Sequence, residues 1–193
     1  SSSEIVIQEK IIEPKNYFLY VGTRGECKNF KYVLTIFSEA KKRNKNYKLV
    51  IVSKESLNNK ESNFANSLGI KITDIVQINY VDNSLLRMLY GNSLALLIPS
   101  KYEGFGLPAL ESSKCGSIVI GAKGSALDEV VGESEYMINL SKKNEIKRVL
   151  DLDFFGEDAK KESKRLLERS KNFSWAKSVS KLENIYKTLI KDI

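Results

Sequence analysis

The sequence predicts an α/β chain: a three-layer domain with a parallel sheet of about six strands flanked by helices. Three observations carry this. Apolar runs of four or five residues alternate with longer segments whose apolar residues fall at helical spacing. The runs show no polar alternation, as strands covered on both faces do. Segments rich in glycine or charge follow several strands, where such sheets bind ligands.

Tyr17 to Val21 reads as a buried strand closed by Gly22. Asn29 to Arg43 places Phe30, Val33, Leu34, Ile36 and Phe37 on one helical face. Lys48 to Val52 is a second strand. Lys60 to Leu68 is a helix stopped by Gly69. Asp74 to Ile78 is a third strand, and Asp82 caps a helix through Tyr90 with Gly91 as its stop. Leu94 to Ile98 is a fourth strand, ended by Pro99. Leu107 to Lys114 is a helix that tolerates Pro108 in its first turn. Ser117 to Ile120 and Tyr136 to Leu140 are a fifth and a sixth strand. Residues 144–150, 157–170 and 174–190 are helices. Residues 1–16 lack a clear period and read as a linker, or at Ser1 to Ser3 as a cloning remnant or frayed end. Residues 17–193 then form one domain.

Composition narrows the chemistry. The 193 residues contain 31 Lys and Arg against 24 Asp and Glu, a net charge of +7, with no His and two Cys. A chain of this length buries roughly 70% of its unfolded surface, so its core needs no metal or disulfide. The absence of His excludes Ser-His and Cys-His triads and His-held metals within the chain. Cys27 and Cys115 make no disulfide framework and fit a reducing, cytoplasmic compartment. No apolar run approaches the ~18 residues of a membrane span. The basic residues are scattered beside acids as on solvated helix faces, and no nucleic-acid motif is present. Peripheral contact with an anionic membrane remains compatible with the charge.

Two segments carry the candidate chemistry. Gly22-Thr23-Arg24-Gly25-Glu26-Cys27-Lys28-Asn29 runs from a strand end to a helix start. Its glycines allow close backbone approach to an anion, and Arg24 and Lys28 can hold a pyrophosphate as fork and point charge. Taken alone it is equally an ordinary strand–helix turn with surface cations. It has neither dinucleotide nor P-loop spacing. In the second segment, Glu103 and Glu111 bracket seven residues. Glu111 lies roughly 7–8 Å along the helix axis, and Gly104-Phe105-Gly106 forms the helix entry with free N–H groups. Phosphates suit that helix end, and each carboxylate suits sugar hydroxyls beside them, which is the layout of a nucleotide-sugar.

SKYEGFGLPALESSKCGSIVI, with Glu103 and Glu111 as an E-x7-E pair, resembles the donor segment of retaining GT-B glycosyltransferases of family 4 (glycosyl transferases group 1). FLYVGTRGECKNF resembles their phosphate loop, with Thr23 where many relatives have Arg. GSALDEVVGE resembles a third loop, with Asp128 in place of a usual Pro. FSWAKSVSKLENIYKTL resembles their C-terminal helix. The resemblance spans about residues 17–190.

It implies one Rossmann-like half of a GT-B fold that binds a nucleotide-diphospho-sugar, GDP-mannose or a UDP-hexose. It implies retaining hexosyl transfer to a cell-surface polysaccharide or lipid-linked glycan, without a metal or other cofactor. By resemblance, Arg24 and Lys28 neutralise the diphosphate, Glu103 and the N–H groups of Gly104, Phe105, Gly106 and Leu107 hold the sugar, and Glu111 holds the ribose. Gly22 and Thr23 line the phosphates; Val52, Ser53, Tyr80, Val81 and Leu85 line the base. Residues 172–193 would pack toward an N-terminal acceptor domain absent from this chain, with Trp175 as anchor, so this chain alone would barely catalyse. The alternatives are a non-catalytic nucleotide-sugar-binding subunit and another GT-B enzyme such as an epimerase.

Overall fold

The computed structural model describes residues 5–7 and 10–191; the reading of Ser1 to Ser3 lies outside them. Residues read as a linker contain two antiparallel strands paired with each other, β1 (Ile5–Ile7) and β2 (Lys10–Ile12). The rest alternates as expected: β3 (Tyr17–Val21), α1 (Phe30–Arg43), β4 (Lys48–Val52), α2 (Asn59–Ser67), β5 (Ile75–Ile78), α3 (Asn83–Asn92), β6 (Ala95–Ile98), α4 (Leu107–Lys114) and β7 (Ile118–Gly121). Four helices follow: α5 (Leu127–Val131), α6 (Glu145–Leu150), α7 (Glu157–Ser170) and α8 (Trp175–Lys191).

The sheet order is β5-β4-β3-β6-β7, with every pairing parallel. The sheet starts at its central strand, β3, winds to one edge, then crosses back and winds to the other. The order therefore reverses between β3 and β6, and a crevice opens where their C-terminal ends diverge.

Side-chain alternation along each strand builds two cores. Phe18 and Tyr20 of β3 join Leu49 and Ile51 of β4 against the α1 stripe of Phe30, Val33, Leu34 and Phe37. Tyr17 and Leu19 face the other way, with Val50 and Leu96, against Leu89 and Tyr90 of α3 and Ala109 and Leu110 of α4. Leu34 and Phe37 are fully buried, each stabilising by about 1.5–3 kcal/mol relative to exposure.

Two local features differ from the sequence reading. The sixth strand is one bridge, Ala122 to Ile138, so the sheet has five strands. Beyond Ile138 the ladder stops because the Asn139 N–H donates to Glu145 Oε2 at 3.0 Å, while Asn139 Oδ1 accepts from the Ser141 N–H at 3.0 Å. α3 passes through Gly91 to Asn92, and Lys15 Nζ satisfies the freed carbonyls of Gly91 and Ser93 at 3.0 and 2.8 Å. Along α8, Trp175 is 79% exposed, and Leu182, Tyr186 and Leu189 are each more than half exposed. The aromatic contact at this end is made by Phe173 against Phe105, centroids 5.7 Å apart. Among the described residues, no helix is long and apolar enough to cross a membrane.

Candidate functional site

The loop after β3 opens at Gly22, whose φ of 132° only glycine adopts readily. Its N–H donates to Val52 O at 3.0 Å, continuing the β3–β4 ladder past the strand. The loop then coils into a short 3₁₀ turn over Glu26–Lys28 and ends at left-handed Asn29, which starts α1. Two bonds staple it to the loop after β6. Lys101 N–H donates to Cys27 O at 2.8 Å, and Asn29 Nδ2 donates to Pro99 O at 3.1 Å.

This staple brings Lys28 and Glu103 together. Lys28 Nζ lies 2.8 Å from both Glu103 carboxylate oxygens. The Glu103 side chain is 6% exposed and that of Lys28 is 30% exposed, so a partly open ammonium is paired with a buried carboxylate. Burial of Tyr20 beneath them pushes its phenol pKa up, with Arg24 opposing and Glu103 adding to the rise. That hydroxyl stays protonated and donates to Thr23 O.

Arg24 goes elsewhere. Nε donates to Glu61 Oε1 at 2.9 Å, and the two terminal nitrogens donate to the carbonyls of Glu55 and Ser56 at 2.7 and 2.6 Å. Its side chain is only 4% exposed. Thr23, the preceding residue, is exposed.

The loop after β6 leads through Gly104 and Phe105 to Gly106, the left-handed N-cap of α4 with φ 88°. A Cβ there would lie 2.5 Å from Leu127 Cδ2, so α5 packs directly beneath the helix entry. Among the described residues, the N–H groups of Gly104, Phe105, Gly106 and Leu107 have no protein acceptor. They stand at the positive end of α4.

One turn into α4, Glu111 is exposed and accepts from Tyr90 Oη at 2.9 Å through Oε2. Burial and the Glu111 carboxylate both push the Tyr90 pKa up, so Tyr90 is a fixed donor. Tyr90 and Glu111 lie in a groove of about 400 Å³ between α3 and α4, with Asn83, Leu86 and Arg87. At the ends of β4 and β5, Val52 and Ser53 are buried, Val81 and Leu85 pack against the α3–α4 core, and Tyr80 is 84% exposed. Asp82 Oδ1 caps α3 by accepting from the Leu85 N–H at 2.7 Å.

The structure thus gathers Gly22, Lys28, Glu103 and the Gly104–Leu107 backbone at the crevice, with Glu111 in the adjoining groove, and takes Arg24 into a separate cluster. The sequence reading missed Tyr90 and Glu61 as partners. Glu61 had a local signal: Asn58-Asn59-Lys60-Glu61 is a capping box, in which Asn58 Oδ1 accepts the Glu61 N–H and Glu61 Oε2 accepts the Asn58 N–H, both at 2.9 Å. Tyr90 had none, because its helical position shows only that it is core-facing.

A larger cavity of about 890 Å³ lies beyond β7. Its arginines are already engaged: Arg148 with Glu145 and two carbonyls, and Arg165 with Glu162 and Val131 O. We read it as a seam that holds the 132–148 segment. Among the described residues, no group of three or more acidic or Cys side chains gathers as a metal site requires.

Known proteins share both the sequence and the fold. The chain is 28% identical over 190 residues to the O-antigen chain mannosyltransferase B of Escherichia coli, covering 95% of this chain and 49% of that one. It is 33% identical over 113 residues to the Escherichia coli serotype-specific mannosyltransferase WbdA, covering 58% and 14%. The chain therefore spans half or less of these curated relatives. Its fold superposes on sucrose-phosphate synthase of Thermosynechococcus elongatus with a TM-score of 0.73 at 20% identity, over 93% of this chain and 46% of that one. The family described as "Glycosyl transferases group 1" matches residues 1–173, and the chain belongs to it.

Proposed function

We propose that this chain binds the nucleotide-diphospho-sugar donor of a retaining hexosyltransferase, with a mannosyl donor such as GDP-mannose as first choice. The observation that carries the reading is the Lys28–Glu103 pair at the switch point, beside four open N–H groups at the start of α4. A diphosphate seated there draws Lys28 from Glu103, which frees the carboxylate for hydroxyls of the sugar. Glu111 accepts from the ribose hydroxyls through Oε1 while Tyr90 holds Oε2. The base rests near Ser53, Val81 and Leu85. The mannosyltransferase names of the two bacterial relatives support the choice of sugar, and the O-antigen name of one supports a polysaccharide acceptor.

In the transfer step, the bond between the anomeric carbon and the β-phosphate oxygen breaks, and its electron pair stays on that oxygen. The acceptor hydroxyl attacks the anomeric carbon from the same face, and its proton passes to the departing phosphate oxygen. Lys28 and the α4 N–H groups stabilise the charge that develops there, so no metal is required. The acceptor would be held by a further domain of the protein. The net charge of +7 supports contact of the protein with an anionic membrane that presents a lipid-linked acceptor.

Calorimetric titration of GDP, UDP, ADP and dTDP without metal tests the reading. One nucleotide should bind at micromolar to low-millimolar strength, and Glu111→Ala should weaken it by about tenfold, or about 1.4 kcal/mol. Absence of binding by all four would overturn the donor site. Unchanged binding in the variant would overturn the ribose role of Glu111.

A further inference from the structure

We infer that Arg24 serves the donor site as a positioning residue and not as a ligand of the diphosphate: paired with Glu61, it locks the loop after β3 to the loop after β4. The inference rests on the donor-site reading above and changes the role expected of one residue in it.

The geometry is specific. Three guanidinium N–H groups are directed at three fixed acceptors, Glu61 Oε1 and the carbonyls of Glu55 and Ser56. The guanidinium carbon lies 5.5 Å from the Phe30 ring centroid, which covers one face. The side chain is 4% exposed and Glu61 is 13% exposed. A phosphate approaching this cation would meet an ion pair that is already neutral and closed off by protein. Reaching a ligand would require Arg24 to leave all three acceptors.

The clamp joins two parts of the same site. On one side, Arg24 is four residues from Lys28 and follows Thr23, whose carbonyl is held by Tyr20. On the other, residues 54–56 are also held from β5 and its end: Gln77 Nε2 donates to Glu55 O at 3.2 Å, and Asn79 Nδ2 donates to Lys54 O at 3.0 Å. Glu61 is fixed in turn by its capping box with Asn58. The cation meant for the diphosphate and the strand ends meant for the base are therefore set in register through one guanidinium. Lysine cannot replace it, because a single ammonium cannot fork to acceptors in this planar arrangement.

The two roles predict opposite signs when Glu61 is changed. If Arg24 were a phosphate ligand restrained by Glu61, Glu61→Gln would release it and remove a nearby negative charge, so anions would bind more tightly. If Arg24 is a clamp, Glu61→Gln loosens both loops and binding weakens. We would titrate inorganic pyrophosphate, GDP and UDP into wild type, Glu61→Gln, Arg24→Lys and the double variant, and record melting curves alongside. The expected result is a loss of about five- to tenfold in affinity for each single variant, about 1–1.4 kcal/mol. The double variant should be no weaker than the worse single one, because both break the same coupling.

Tighter or unchanged binding in Glu61→Gln, or additive losses, would overturn the clamp. A lower melting temperature with unchanged affinity would also overturn it, since that is a purely structural role. Should Glu61→Gln fail to fold, Arg24→Lys decides alone. It leaves the α2 cap intact, and a ligand role predicts near-normal pyrophosphate binding by the substituted ammonium. Failure of wild type to bind any probe would overturn the donor-site reading and this inference together, whereas wild-type binding with tightening in Glu61→Gln overturns only the inference.

Discussion

The loops after β3 and β6 face each other across the switch point, yet they hold their charge in opposite ways. In the first, Gly22 extends the ladder to Val52, Arg24 is taken up by Glu61 and two carbonyls, and Cys27 accepts from Lys101. What it offers a ligand is one side-chain cation, Lys28, beside the N–H groups of Thr23 to Cys27, which among the described residues have no protein acceptor. The second, from Gly104 to Leu107, carries no cationic side chain; its four N–H groups, likewise without a protein acceptor, stand at the positive end of α4. A side-chain cation tolerates small displacements, because its stem can swing. Backbone donors do not, because they are aimed only by the path of the chain. The second loop, whose entry glycine is left-handed and packed on Leu127, should therefore be the more sensitive to substitution, glycine for glycine.

Gly106→Ala puts that to its largest test. The residue sits at φ 88°, and a Cβ would meet Leu127 Cδ2 at 2.5 Å. Leu127 is fully buried and has little room to yield. Left-handed strain and overpacking together should cost about 2–4 kcal/mol. Nucleotide binding should be lost in whatever protein remains folded. Gly25→Ala is the matched control in the first loop. Gly25 has a φ of −58°, and nothing lies within 4 Å of where the new methyl group would stand, so the change should stay within about 0.5 kcal/mol. Denaturant melts of the two variants decide the matter, and equal losses would erase the distinction between the loops.

Lys28→Met is expected to have the next largest effect. It leaves the Glu103 carboxylate buried without its cation. Removing one partner of a fully buried pair costs about 3–5 kcal/mol, but Lys28 is 30% exposed and solvent screens the pair, so about 1–2 kcal/mol is expected. Adding Glu103→Gln to it should recover part of that loss, since no unpaired charge then remains. Neither variant should bind a nucleoside diphosphate. A double variant less stable than Lys28→Met would mean that Glu103 is held by something other than this ion pair.

Much of the framework was legible because period and burial share one cause. Phe30, Val33, Leu34 and Phe37 of α1 advertise a helix because they must share a face, and the strands read as apolar runs because both faces are covered. The loops at the β3 and β6 ends could be placed for the same reason. Partnerships of side chains could not. Glu61 lies 37 residues from Arg24, and nothing in the local pattern of either names the other. The pairing of Lys28 with Glu103 depends on two staples, the Lys101 N–H to Cys27 O and the Asn29 side chain to Pro99 O, that no spacing encodes. The segment at Tyr136 to Leu140 has a strand's composition, but a side chain–backbone turn at Asn139 ends it after one bridge. Gly91 looks like a helix stop, yet Lys15, 76 residues away, caps the carbonyl that the stop would have exposed.

Tyr90→Phe probes the smallest difference, between a carboxylate locked by protein and one oriented for a ligand. Glu103 has both oxygens on Lys28, whereas Glu111 has Oε2 on Tyr90, with Oε1 left for the groove. Phenylalanine fills nearly the same buried volume, and the Glu111 carboxylate, being exposed, can be rehydrated. The stability cost should accordingly be at the low end for a hydrogen bond, about 0.5–1 kcal/mol. In the proposed ribose role, Glu111 freed to rotate would have to be ordered again by each ribose. Nucleoside diphosphate affinity should therefore fall about threefold to fivefold, or about 0.7–1 kcal/mol. Inorganic pyrophosphate, which has no ribose, should bind Tyr90→Phe as it binds wild type. Calorimetry with both ligands reads the difference, and an equal loss for the two would show that Tyr90 supports α4 as a whole and does not orient Glu111.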